Sequence, residues 1–441
     1  MKFLPQIIFL VLLSVSGFFI LKKILRIRRN INLGRPDDRS GNIGERLKTL
    51  TLVAFGQKKM FKKPIPAILH LFVYLGFIIV NIEMLEIIID GLFGTHRIFA
   101  PRMAGYYPML INFFEFFAIS VIITCAIFLI RRNILHVKRF DGEEMRAWPK
   151  RDANIILSVE IFLMTAFLFM NAADSQLQVR GNEHYFFTGK FFFSSFLEPF
   201  ISGLSNDQLF YLDRFGWWAH IIGVFIFANY VFHDSKHLHI FMSFPNVFFS
   251  KLEPKGKFSN MPEVTKEVKL MLNLPVEDTG NNTGQPGRFG AKDVQDLTWK
   301  NLMDAYSCTE CGRCTSQCPA NITGKKLSPR KIMMDTRDRV EEVGRNIDTH
   351  GKDYNDNKSL LGDFIAVEEI MACTTCNACV EACPVNIDPL DIIMQLRRYK
   401  IMEESQAPAS WNSMFSNIEN NFAPWKFPHA DRMNWVEKVK K

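Results

Sequence analysis

Eight of the nine cysteines in the chain fall into two runs of identical spacing, Cys308-x2-Cys311-x2-Cys314-x3-Cys318-Pro319 and Cys373-x2-Cys376-x2-Cys379-x3-Cys383-Pro384. Thiolates separated by two residues in a turn converge on neighbouring corners of one cubane. The fourth cysteine of such a run, on a following helix, points away and reaches a second cubane. The spacing therefore predicts one 4Fe–4S cluster on Cys308, Cys311, Cys314 and Cys383, and a second on Cys373, Cys376, Cys379 and Cys318. Structural zinc needs only four ligands per site and gives no reason for two identical runs that end in proline. Disulfides do not suit the reducing compartment in which the loop charges below place these residues.

A second set of residues with metal-binding chemistry lies in apolar surroundings. His70 sits in Ile68-Leu69-His70-Leu71-Phe72, and His220 follows Trp217 and Trp218. His237 and His239 close the run Lys236-His237-Leu238-His239. An ionisable residue inside an apolar segment marks a functional site, and neutral imidazole is the usual axial ligand of a b-type haem. His70 lies roughly 10 Å into its helix at 1.5 Å per residue. It can pair with His237 or His239 from an antiparallel helix to hold one haem. His220 is roughly 26 to 29 Å from those two along a straight helix. It is left for a second haem, for contact with a quinone or for proton transfer. His136 reads as part of a positive surface, and His96 and His184 as exposed.

These residues need a scaffold, and the composition divides it. Residues 1–245 carry long apolar runs, whereas residues 246–441 are polar and charged. Five runs approach the length of about 20 residues that a membrane crossing needs: Leu4–Leu21, Ile65–Ile89, Met109–Ile130, Ile155–Asn171 and Leu212–Phe232. Basic residues crowd the loops after the first and third runs, with Lys22, Lys23, Arg26, Arg28, Arg29, Lys58, Lys59, Lys62 and Lys63 in one and Arg131, Arg132, Lys138, Arg139, Arg146, Lys150 and Arg151 in the other. Basic loops stay inside. The N-terminus is thus expected outside, the first run is an uncleaved anchor, and the cysteine region lies in the cytoplasm. The net charge of +8 reflects membrane orientation and not nucleic-acid binding. The aromatic stretch Tyr185–Phe200 is too short to span and reads as an interfacial segment or a cap on the bundle.

The fold class is therefore all-α, a five-helix transmembrane bundle followed by an α-helical module with two clusters. The expected divisions are a membrane domain at 1–245, a linker at 246–296, the dicluster module at 297–400 and a partner-docking tail at 401–441. Gly280–Gly287 is the most flexible part of the linker. No P-loop and no G-x-G-x-x-G follows a strand, which argues against a Rossmann site for flavin or NAD. Helices are expected from Pro329 and over Leu390–Arg398. Trp411, Trp425 and Trp435 in a polar tail suggest a docking surface.

The five runs with His70, His220 and Lys236-His237-Leu238-His239 resemble the cytochrome b subunit of respiratory nitrate reductase, gamma type. The cysteine module resembles the electron-transfer subunit of heterodisulfide reductase and the iron–sulfur subunits of anaerobic glycerol-3-phosphate dehydrogenase. The fused arrangement is similar to the membrane reductases that link electron-transferring flavoprotein to menaquinone. The resemblance implies an oxidoreductase subunit in the cytoplasmic membrane that passes electrons between a cytosolic redox partner and the quinone pool. Two departures matter. The nitrate-reductase type carries two haem histidines in its second span, whereas here Val80 and Asn81 occupy the region of the other. In the fused reductases CCG repeats follow the ferredoxin module. Here the sequence reaches Lys441 without one, so the expected partner is a separate CCG-domain protein, electron-transferring flavoprotein, or both. A redox sensor would call for an output domain or an incomplete ligand set. A plain anchor for a catalytic subunit would leave His70 and eight cysteines without a use.

Overall fold

A computed structural model of the chain describes residues 3–233, 235–276 and 288–440. Among the described residues it is helical throughout, with two isolated β-bridges and no strand. The first four long helices are α1 (Leu4–Ile31), α2 (Pro64–Phe93), α3 (Tyr107–Asn133) and α4 (Trp148–Val179). Each has a proline in its first turn, where the missing N–H is one the helix could not use. All four are long and apolar enough to cross a membrane. They outrun their apolar cores because the backbone ladder continues until a cap stops it: α2 ends on Gly94 at φ +70.

The next helix, α5 (Asn206–Val231), starts at a capping box in which Ser205 and Gln208 satisfy each other's backbone amides. It is followed by α6 (His239–Phe248) after a sharp bend. The segments Asn206–Val231 and Lys236–Phe248 meet at 92° and reach a fifth crossing only when taken together. The expectation of one straight helix through His237 and His239 is therefore corrected. Asp152 of α4 explains the bend: its carboxylate accepts hydrogen bonds from Tyr230 Oη at 2.6 Å, Ser235 Oγ at 2.9 Å and the Lys236 amide at 3.0 Å.

The bundle core is aromatic and aliphatic, with Tyr107, Ile111, Phe114, Phe117, Val121, Leu163 and Phe167 buried between α2, α3 and α4. Large apolar side chains face outward along α1, among them Leu10, Phe18 and Phe19, a surface that suits lipid. Tyr185–Phe200 folds over the end of the bundle away from the cysteine module. Tyr185 and Phe191 are buried, and Glu115 of α3 accepts the Phe193 and Ser194 amides.

The cysteine module is built on α7 (Trp299–Ser307), α8 (Pro329–His350), the short α9 (Ala378–Ala382) and α10 (Pro389–Arg398). Its core of Leu302, Ile332, Val340, Ile392, Ile393 and Leu396 is continuous with Ile27 and Ile31 of α1 and with Leu238. In the tail, α11 (Ala409–Asn421) stands on the surface with no buried residue, and a short helix over Asn434–Val439 follows it. Within the expected linker, Pro262–Met271 is helical. The stretch Gly280–Gly287 lies outside the described residues.

Candidate functional site

Both cysteine loops have the same backbone. In the first, Glu310 and Gly312 flank Cys311 with φ of +54 and +69; in the second, Thr375 and Asn377 flank Cys376 with φ of +56 and +60. Left-handed residues on both sides of one cysteine turn successive amides inward and make an anion-binding concavity. Those amides are used: the Glu310 amide hydrogen-bonds Cys308, and the Thr375 amide reaches Cys373 Sγ at 3.4 Å. The residues before the two prolines also match, with Cys318 at φ −77, ψ 118 and Cys383 at φ −71, ψ 123. Proline forces this extended state on the residue before it. The fourth cysteine of each run is therefore the extended residue that precedes the proline, and not, as expected, a residue on the following helix.

This conformation sends the fourth cysteine across. Cys308, Cys311, Cys314 and Cys383 line one pocket with Arg313, Arg330 and Met333. Cys373 and Cys379 lie close enough to Cys318 to feel its charge, and Cys376 acts on Cys373 in the same way. The residues expected to hold each cluster are thus brought near one another. Burial pushes the Cys308 thiol up to about 12 and the Cys383 thiol up to about 11, and neighbouring cysteines add to both shifts. Four such thiols ionise together only when a cationic centre replaces their protons. Among the described residues no three His, Cys, Asp or Glu side chains converge as ligands of a single ion. A cubane carries its thiolates on separate iron corners, so this donor set fits a cluster better than zinc.

His70, His237 and His239 gather together. The rings of His70 and His239 are 6.5 Å apart, with planes at 43°. Two imidazoles on opposite sides of one metal, each with a metal–nitrogen bond of about 2.0 Å, stand roughly 6 Å apart at their centres. Nδ1 of His70 donates to Gln57 Oε1 at 3.2 Å, and Nδ1 of His239 donates to the Lys236 carbonyl at 2.9 Å. This is how metal-ligating imidazoles are commonly oriented, with Nε2 left for the metal. The ring of His237 is 5.6 Å from that of His239, but its Nε2 points toward Glu160 at 3.9 Å. Of the two alternatives for pairing with His70, His239 has the better geometry. The bend also brings the His237 ring to 5.5 Å from Phe227, so the straight-helix separation from His220 does not apply. His220 is buried near the middle of α5, with Nδ1 on the Leu163 carbonyl at 2.9 Å. Among the described residues its ring packs on Phe167 and pairs with no second histidine.

Charged groups lock the module onto the bundle at this level. Glu310, from the first cysteine loop, binds Lys236 at 2.5 Å and Arg337 of α8 at 2.8 Å. Arg330 is buried and binds Glu144 at 2.7 Å and the Arg139 carbonyl at 2.6 Å. Lys59 Nζ donates to the Cys383 carbonyl at 3.1 Å, Arg26 pairs with Asp348 at 3.0 Å, and Lys62 pairs with Glu381. The basic loops, read from sequence as orientation signals, are thus also the docking surface.

At the opposite end of the bundle lies a cavity of about 230 Å³, lined by Glu83, Glu86, Asp174, His184, Trp217 and Trp218 among others. Beside it Arg97 binds Asp174, Asn171 Oδ1 at 2.8 Å and Tyr107 Oη at 3.2 Å, and Tyr107 donates to Glu86 at 2.8 Å. Glu83 Oε2 is buried without a hydrogen-bond partner among the described residues. His96 was expected to be exposed, but its side chain is only 11 % exposed because it packs against Tyr185 and toward Asp174. Sequence reasoning missed this network, although carboxylates within apolar segments are the signal that could have found it. It also missed Gln57 and Glu310.

A helical bundle long and apolar enough to cross a membrane is thus joined to a module that carries eight cysteines in two runs. Residues 307–387 match the family described as 4Fe-4S dicluster domain. The chain is 28 % identical to the probable iron-sulfur-binding oxidoreductase FadF of Bacillus subtilis, over 98 % of this chain and 61 % of that protein. It is 26 % identical to the EtfAB:quinone oxidoreductase of Syntrophomonas wolfei, over 91 % of this chain and 55 % of that protein. It is 27 % identical to one component of the dihydromethanophenazine:CoB–CoM heterodisulfide reductase of Methanosarcina mazei, over 33 % of this chain and 36 % of that component. The chain thus spans little more than half the length of the first two. No solved structure matches it.

Proposed function

We propose that the chain is a membrane electron-transfer subunit between a cytosolic redox partner and the quinone pool. Two 4Fe–4S clusters and one b-type haem would supply the one-electron chemistry when bound. Cys308, Cys311, Cys314 and Cys383 hold the first cluster, Cys373, Cys376, Cys379 and Cys318 the second, and His70 with His239 the haem. The observation that carries this reading is the junction between the two sites: the Lys236 carbonyl accepts from His239, and Lys59, two residues after the partner of His70, donates to the Cys383 carbonyl. Lys236, immediately before His237, also binds Glu310 of the first cysteine loop. Cys376 is the exposed cysteine of the second quartet, which favours entry of electrons from the partner at that end.

Five crossings, with the bent pair as the fifth, leave the N-terminus outside and the cysteine module in the cytoplasm, in keeping with the basic loops. The far cavity suits a quinone headgroup: Trp217 and Trp218 supply apolar walls, and Glu83 and Glu86 supply proton-exchanging carboxylates. His220 then lies between haem and quinone. The resemblance implies electron flow toward quinone. The tail presents Phe415, Ile418, Phe422, Trp425 and Trp435 to solvent, and Arg397 ties it to the second loop by covering Trp411 and donating to the Cys373 carbonyl. A CCG-domain partner or electron-transferring flavoprotein would dock there. Reduced-minus-oxidised optical spectra of the purified chain are the test. A b-type haem band is expected, and His70→Ala should abolish it while the iron of the clusters remains. Iron without a haem band in the unaltered protein would refute the haem assignment.

A further inference from the structure

We propose that Gln57 is the positioning residue that sets the orientation and electron density of the His70 imidazole. The inference rests on the assignment of His70 as a haem ligand. Gln57 is 6 % exposed and has φ +49, a left-handed conformation that a residue with a Cβ adopts only when its surroundings impose it. The surroundings are visible. The Gly56 amide closes on Thr51 O at 2.8 Å, the Lys58 amide on Leu52 O at 3.0 Å, and the Met60 amide on Gln57 O at 2.8 Å. These three bonds hold the turn, and the turn aims the Gln57 amide oxygen at Nδ1 of His70.

The chemistry of that contact is specific. A hydrogen bond from Nδ1–H fixes the tautomer, turns Nε2 toward the metal and makes it a stronger donor. An amide oxygen does this mildly. A carboxylate at the same place would draw the proton further, make the ring more electron-rich and stabilise the oxidised metal. His239 is held by a backbone carbonyl, which substitution cannot remove. His70 is held by a side chain, so evolution can adjust its ligand strength at position 57. The same turn also touches the first cluster site. Lys59 donates to the Cys383 carbonyl at 3.1 Å, and Arg313 reaches the Met60 carbonyl at 3.4 Å. Gln57 is therefore the residue through which the junction between the two redox sites bears on the haem ligand.

The experiment is an optical redox titration, with low-spin haem signals read by electron paramagnetic resonance, on the full chain and on Gln57→Glu and Gln57→Leu. Gln57→Glu should lower the haem midpoint potential and shift the low-spin signal while haem and iron content stay unchanged. Gln57→Leu should move the potential the other way and weaken haem retention by about 10- to 100-fold, the range for loss of an outer partner. The near-isosteric Glu variant keeps the test valid should the Leu variant fold poorly. Unchanged potential and signal in Gln57→Glu, with full haem, would overturn the role of Gln57 alone. Absence of haem from the unaltered chain would overturn the ligand assignment, and this inference with it.

Discussion

At the residue scale, the cysteine loops depend on backbone conformations that few side chains tolerate. Gly312 has φ +69, and a Cβ there would stand 2.5 Å from Arg330 Nη1 and 3.0 Å from the Arg139 carbonyl. Arg330 cannot retreat, because Glu144 and the Arg139 carbonyl hold it in a buried position. Gly312→Ala also adds about 1–2 kcal/mol for a left-handed residue with a Cβ. We expect this variant to lose the first cluster and retain the second, so that iron per chain falls by roughly half as the ligand set opens. Asn377 occupies the same place in the second loop at φ +60, and Asn377→Gly should keep its iron. Iron analysis of the two variants side by side measures the difference. The spacing of the cysteines was legible without coordinates, because it is short-range and periodic. Gln57 and Glu310 were not, since each acts through a left-handed φ and a partner on another element, His70 for one and Lys236 and Arg337 for the other.

At the scale of elements, the bend between α5 and α6 carries the chemistry. It returns His237 and His239 into the bundle, and Asp152 of α4 holds it with three hydrogen bonds. Asp152→Ala should therefore loosen the histidine pair without touching a ligand. Hydrogen bonds to a charged group are worth about 1.5–3 kcal/mol each, so haem affinity should drop at least about tenfold, as outer-partner losses do. The haem-to-protein ratio after size exclusion reads this directly. Retention of haem equal to that of the unaltered chain would show that the bend is held by other contacts. The apolar runs of α1 to α4 could be read from sequence, because length and composition suffice for that. The bend could not. Helical rise is counted along a straight axis, whereas the direction of the chain after Val231 is set by a carboxylate on another helix.

At the scale of the molecule, bundle and module share one core and one set of ion pairs. Ile27 and Ile31 of α1 are buried with Leu302 and Val340 of the module, and Glu310 lies between Lys236 and Arg337. Breaking a buried pair by removing one partner typically costs about 3–5 kcal/mol. Glu310→Gln should therefore raise amide hydrogen exchange at 308–314 and 235–240 together, by roughly 100-fold or more, because one carboxylate ties both segments. Exchange rising in only one segment would show that the junction does not move as a unit. The division into an apolar and a polar half was evident in composition. The firmness of their joint was not, because the same lysines and arginines serve as orientation signals in sequence and as ion-pair partners in space.

The proposed crossing of Cys318 and Cys383 between the two clusters has a consequence for biosynthesis. Three thiols of the first quartet leave the ribosome early, but the fourth follows only after about 70 further residues, a wait of roughly 3–14 s at 5–20 residues per second. Until then the nascent chain holds a three-armed, open cradle. Neither run alone can complete a site, so a break anywhere between Cys318 and Cys373 would leave both clusters one arm short. Each centre in this sense needs both runs, and the helix α8 (Pro329–His350) lies between them in the chain.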